Sequence, residues 1–126
     1  MITLAQFGLL ILLTMFLVLH LFIVAKIIPY NLVWGGRLKS DKEMYRFEIL
    51  SIIINSLFLM VILVQANLLA TEIPKKIISY ALWLMTGLFL LNTAGNAISK
   101  NRLEQRVFTP LTTLLTIFSL ILALSS

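Results

Sequence analysis

Four apolar stretches dominate the chain, running roughly over 3–28, 49–70, 77–98 and 107–124, and nearly all of the charge lies between them. Each is long enough to cross a bilayer, since a spanning helix takes about 20 apolar residues. Lipid offers no partner to backbone N–H and C=O groups, so each span must satisfy its own as a helix. A barrel is excluded, because its strands alternate in polarity and runs such as Gly8–Leu13 and Ile52–Ile54 do not. The sequence therefore predicts an all-α membrane protein. It is a single four-transmembrane-helix bundle over residues 1–126, in up-down-up-down order.

Composition agrees: 60% of residues are hydrophobic and 12% charged, against about half and about a quarter in a soluble domain. There is no cysteine, which rules out disulfides, thiolate chemistry and thiolate-bound metals. The first span has no basic leader and no small-residue cleavage site, so it reads as a retained helix.

Orientation follows from the loops. The first carries Lys26, Arg37, Lys39, Lys42 and Arg46, and the third Lys100, Arg102 and Arg106. The second has only Lys75 and Lys76. The positive-inside rule places loops 29–48 and 99–106 in the cytoplasm and both termini outside, in a multi-pass protein of the cell membrane. The net charge of +5 is then a topology signal. The basic residues hug membrane ends and no recognition fold is visible, so no nucleic-acid partner is expected.

Local signals set the expected boundaries. Pro29 should end or kink helix one. Ser40-Asp41-Lys42-Glu43 has capping-box spacing, which starts helix two near Asp41. Pro74 suits the first turn of helix three, with Thr71 or Ile73 near the cap. Asn101-Arg102-Leu103-Glu104 has the spacing of a second capping box. Helix four is expected to begin there and bend at Pro110, because the run after Pro110 is short for a span.

The polar residues inside the spans form stripes. Helix one has His20. In helix two Glu48, Ser51 and Asn55 recur at i, i+3 and i+7, on one face. Helix three has Asn92, Asn96 and Ser99 at similar spacing, and helix four has Thr109, Thr112, Thr113 and Thr116. With alternating chain direction all four groups fall in the cytoplasmic half. An unpaired amide in hydrocarbon costs several kcal/mol by order of magnitude, so Asn55 and Asn92 are expected to face inward. The candidate site is a polar intrabundle cavity lined by His20, Glu48, Ser51, Asn55, Asn92, Asn96, Thr112 and Thr116. The bland alternative is a set of interhelical hydrogen bonds worth about 0.6 kcal/mol each.

Ionisable groups within a span favour function, and a carboxylate near His20 would let it exchange protons near neutrality. One histidine, one intramembrane carboxylate and no cysteine are too few ligands for zinc, so no metal and no cofactor are expected. Trp34-Gly35-Gly36-Arg37 reads as an interfacial anchor and turn, or as a loop able to contact an anion. Small residues on helix three, Gly87 and Gly95 among them, are expected to mark a close helix seam.

Three functions fit this sequence. The first is a transporter or channel subunit for a small solute or ion, working as a homo-oligomer because one bundle is thin for a pathway. The second is an accessory or regulatory protein bound to a larger membrane partner or to lipid. The third is a lipid-acting enzyme using His20 and Glu48 as acid and base, which requires mutual reach of about 3 Å.

Overall fold

A computed structural model describes residues 1–32 and 38–126. Four long helices make up most of it: α1 (Ile2–Val24), α2 (Asp41–Gln65), α3 (Lys75–Ala97) and α4 (Thr109–Leu124). A 3-10 turn at Tyr30–Leu32 follows α1, and a π-turn at Glu104–Phe108 leads into α4. All four helical segments are long and apolar enough to span a membrane, and no strand occurs among the described residues. The chain is an all-helical, four-span bundle.

The helix ends show how local chemistry sets the spans. α1 stops at Val24, before the expected end near Ile28 and Pro29. Lys26 takes the left-handed conformation, φ 61°. Its N–H bonds to Ile23 O, and that of Ile27 to Phe22 O. This Schellman turn satisfies the last carbonyls, and Pro29 then prevents the helix from resuming. α2 ends in the same way: Asn67 has φ 59°, with Asn67 N–H on Val64 O and Leu68 N–H on Leu63 O. The apolar run continues to Ala70, but the helix does not.

At the start of α2 the Ser40 hydroxyl accepts from Glu43 N–H at 3.2 Å. Glu43 in turn accepts from Lys39 N–H, one residue before the expected reciprocal partner. Pro74 is itself the N-cap of α3 rather than a first-turn residue.

Helical structure begins at Arg102 and runs on through Pro110. Proline lacks an N–H and crowds the carbonyl four residues back, here that of Arg106. The strain is taken up as a widened turn, in which Thr109 N–H reaches Glu104 O, five residues back.

The helices pack in a ring, α1 against α2 and α4, and α3 chiefly against α4. The α2–α3 seam is the sparsest of the four. Polar ties run along α1–α2: Lys26–Asp41 at 2.5 Å, His20–Glu48 at 2.5 Å, Asn55 Nδ2 to Leu13 O at 2.9 Å, and Gln6–Gln65 at 2.8 Å. Asp41, Glu48 and Asn55 lie seven residues apart, the spacing of a left-handed antiparallel helix pair. Along α3–α4 the ties are Asn96–Thr112 at 3.5 Å, Thr93–Thr116 at 3.3 Å and Ser79–Ser126 at 2.6 Å.

The main apolar core fills the end near the termini, with Ala5, Leu9, Leu13, Ile62, Leu82, Met85, Leu115 and Leu122 buried. A smaller cluster of Ile23, Leu38 and Met44 closes the opposite end, where the first and third loops lie. Exposed Phe7, Ile11, Leu50, Ile53, Leu57, Leu84, Leu88, Leu91 and Ile117 form the outer surface, which suits acyl chains. α3 does make the closest seam, with α4, but not through its glycines: a Cβ on Gly87 or Gly95 would meet no atom within 4 Å, whereas one on Gly8 would run into the Phe118 ring. Gly8 therefore marks a tight point between α1 and α4.

Candidate functional site

A cavity of about 230 Å³ lies between the two core clusters, on the loop side of the bundle. Its walls come from every helix. α1 gives Phe16, Leu19, His20 and Ile23; α2 gives Glu48 and Ser51; α3 gives Asn92, Gly95 and Asn96. The π-turn gives Glu104 and Phe108, and α4 gives Thr112.

The centre of the site is the His20–Glu48 pair. Nδ1 and Oε2 are 2.5 Å apart, with Glu48 fully buried and the His20 side chain 20% exposed. An ionised carboxylate and a bare ring nitrogen both only accept, so the contact holds one proton between Nδ1 and Oε2, and Nε2 lies outside it. Burial makes the pairing necessary, because a carboxylate withdrawn from water must be held by a donor or charge. The helix spacing supplies the match: His20 follows Leu13 by seven residues, as Asn55 follows Glu48, and the chains run antiparallel.

Six of the eight sequence-derived candidates line this cavity: His20, Glu48, Ser51, Asn92, Asn96 and Thr112. Asn55 and Thr116 do not. Asn55 is buried deeper, bonded to Leu13 O. Thr116 donates to Thr112 O at 2.9 Å and meets Thr93 on α3. Asn92 departs from the expected inward placement. It is exposed at the cavity rim, because α2 barely covers that face of α3. Trp34, Gly35, Gly36 and Arg37 lie outside the described residues.

Glu104 is the residue that sequence reasoning misplaced. It reads as the third position of a capping box, yet it is only 6% exposed and lies on the cavity wall. The usable signal is Glu104, Phe108 and Thr112 at i, i+4 and i+8, one continuous stripe. Asn101 caps this turn as the motif requires, its side-chain oxygen accepting from Leu103 N–H at 2.9 Å. Phe16 and Phe108 meet edge to face at 6.0 Å between centroids and form an aromatic wall.

Outside the cavity Lys26 pairs with Asp41 at the start of α2. The hydrogen bond and charge of Asp41 push the Lys26 ammonium above its usual range. Both groups are half exposed, so the pair ties the loop side of α1 to α2 without contributing much stability. Among the described residues no Lys or Arg lines the cavity, and no three His, Asp or Glu cluster as metal ligands.

The arrangement can bind a small polar or charged molecule, exchange a proton at His20, and present both a carboxylate and an aromatic surface. The chain matches no family model, no curated protein and no solved structure.

Proposed function

We propose that this chain is the subunit of a transporter or channel in the cell membrane, taking a small solute or ion from the cytoplasm into the intrabundle cavity. The observation that carries this reading is the His20–Glu48 pair on the wall of that cavity. Ionisable pairs at membrane depth are expensive to bury and mark solute or proton routes. The Lys/Arg excess of the first and third loops orients the cavity side toward the cytoplasm. The open α2–α3 seam supports a homo-oligomer, in which a second copy covers what one bundle leaves bare.

The test is uptake into reconstituted proteoliposomes of labelled inorganic cations, organic amines, amino acids and neutral solutes. At least one class should be taken up at a rate that His20→Leu abolishes in a protein that still folds. No uptake of any class would overturn the transport reading.

One observation favours a second reading. With Glu48 on Nδ1, Nε2 could serve as a general base, and Ser51 lines the same cavity from α2. That set suits hydrolysis of a lipid ester entering through the α2–α3 gap. Fatty-acid release from mixed phospholipids, lost in Ser51→Ala, would establish it in place of transport.

A further inference from the structure

We propose that a second copy of this chain packs on the α2–α3 seam, related to the first by a two-fold axis along the membrane normal and joined to it through the two Asn92 side chains. This deepens the homo-oligomer part of the transport reading by naming the face and the contact, and it rests on the same open seam.

The seam is pinned where Phe58 of α2 and Phe89 of α3 meet edge to face, with 5.4 Å between centroids. On the loop side of that contact α2 presents Ser51 and α3 presents Asn92 to the cavity, and Asn92 is exposed. It sits five residues inside the end of α3 at Ala97, about 8 Å of helix rise within the span. An amide at that depth has two N–H donors and a carbonyl with two lone pairs to satisfy. No other described residue bonds it, and acyl chains offer neither donor nor acceptor. Its cavity side can be wet. Its seam side meets hydrocarbon unless another polar group covers it.

Symmetry decides what covers it. The basic excess of the first and third loops orients every copy alike. An axis relating two such copies runs along the membrane normal, so each residue on the axis meets its own counterpart at its own depth. Such an interface must be self-complementary. Asparagine is: each amide N–H donates to the other carbonyl, giving two reciprocal bonds. One asparagine among apolar contacts is also enough to set partner number and register in paired helices.

The surrounding surface fits a helix partner. Leu84, Leu88, Leu91, Asn92 and Gly95 recur at i, i+4, i+7, i+8 and i+11, on one face, and all five are exposed. The open space beside Gly95 lets a second backbone come close next to the amide. Leucines alone would suit lipid equally well, so Asn92 is what selects a copy of the chain. Pairing also covers the rim of each cavity, which a single bundle leaves facing acyl chains.

The experiment is single-molecule photobleaching in liposomes over a range of protein densities, with one dye on Lys100→Cys of the otherwise unaltered chain. Two-step traces should exceed random co-capture. Asn92→Leu should weaken dimerisation about tenfold, the effect of two interhelical hydrogen bonds, and Asn92→Gln, which keeps an amide, should weaken it less than threefold. In separate chains Leu88→Cys should form disulfide-linked dimers under mild oxidation, and Ile11→Cys on α1 should not. Single-step traces at every density would overturn the proposal and assign the Asn92 amide to cavity water or lipid. Traces of three or more steps, cross-linking through Ile11→Cys in place of Leu88→Cys, or Asn92→Leu associating like the parent would overturn it as well. The Leu88→Cys result stands on a chain that keeps Asn92, so it holds even where Asn92→Leu fails to fold. None of these readings needs a solute. Dimers without uptake defeat the transport reading alone, and uptake by monomers defeats the dimer alone.

Discussion

The ring of Phe118 on α4 closes over Gly8 on α1. A Cβ built on Gly8 would lie 2.7 Å from Phe118 Cδ2 and closer still to the neighbouring ring atom. Such distances are not met by real side chains, so the α1–α4 spacing depends on that missing methyl. Gly8→Ala should destabilise the bundle by about 1–3 kcal/mol, the usual cost of overpacking. Phe118→Leu in the same chain should recover part of the loss. Steric-trap unfolding in bicelles measures both, and strictly additive effects would show that the two residues do not meet.

Removing one member of the His20–Glu48 pair should cost more than removing both. Glu48→Leu leaves an imidazole in a poorly solvated site, at a cost of about 3 kcal/mol, the low end for a buried pair because His20 keeps some exposure. His20→Leu combined with Glu48→Leu restores an apolar contact between α1 and α2 and should lie closer to the parent in thermal stability. A double variant less stable than both singles would mean that the pair holds the bundle together by itself.

Ser119 is fully buried, and its hydroxyl has no hydrogen-bond partner among the described residues. An unmet buried hydroxyl costs about 1–3 kcal/mol, so Ser119→Ala should raise stability by about 1 kcal/mol. Chemical denaturation in mixed micelles reads this directly. A loss of stability would show that water or another group pairs with Ser119.

The chain has no native cysteine, which makes topology simple to read. In intact cells Lys39→Cys and Lys100→Cys should resist a membrane-impermeant maleimide, and Glu72→Cys should react. Labelling of Lys39 and Lys100 from outside would invert the orientation and turn the cavity outward.

Some of the site was legible because its cause is local. Glu48, Ser51 and Asn55 share a face by helix periodicity alone, and Ser40 caps α2 through a bond within four residues. Glu104 was illegible for the opposite reason. A local motif, the capping box, competes for the same residue, and the π-turn that wins depends on Pro110 and on packing against the cavity. Asn92 shows the limit of arguing from solvation cost. Its amide belongs inside by that measure, but the sparse α2–α3 seam leaves it at the rim.

The sequence by itself determined the four spans and their order, because backbone groups in lipid have no partner except along their own helix. The polar stripes and several helix ends follow from spacing and capping chemistry in the same way. Only the tertiary structure decided which faces meet: His20 with Glu48, Asn55 with the Leu13 carbonyl, and Gly8 beneath Phe118. Lipid is as apolar as the side chains, so hydrophobicity drives insertion without choosing partners. That choice falls to shape and to a few hydrogen bonds between residues far apart in the chain.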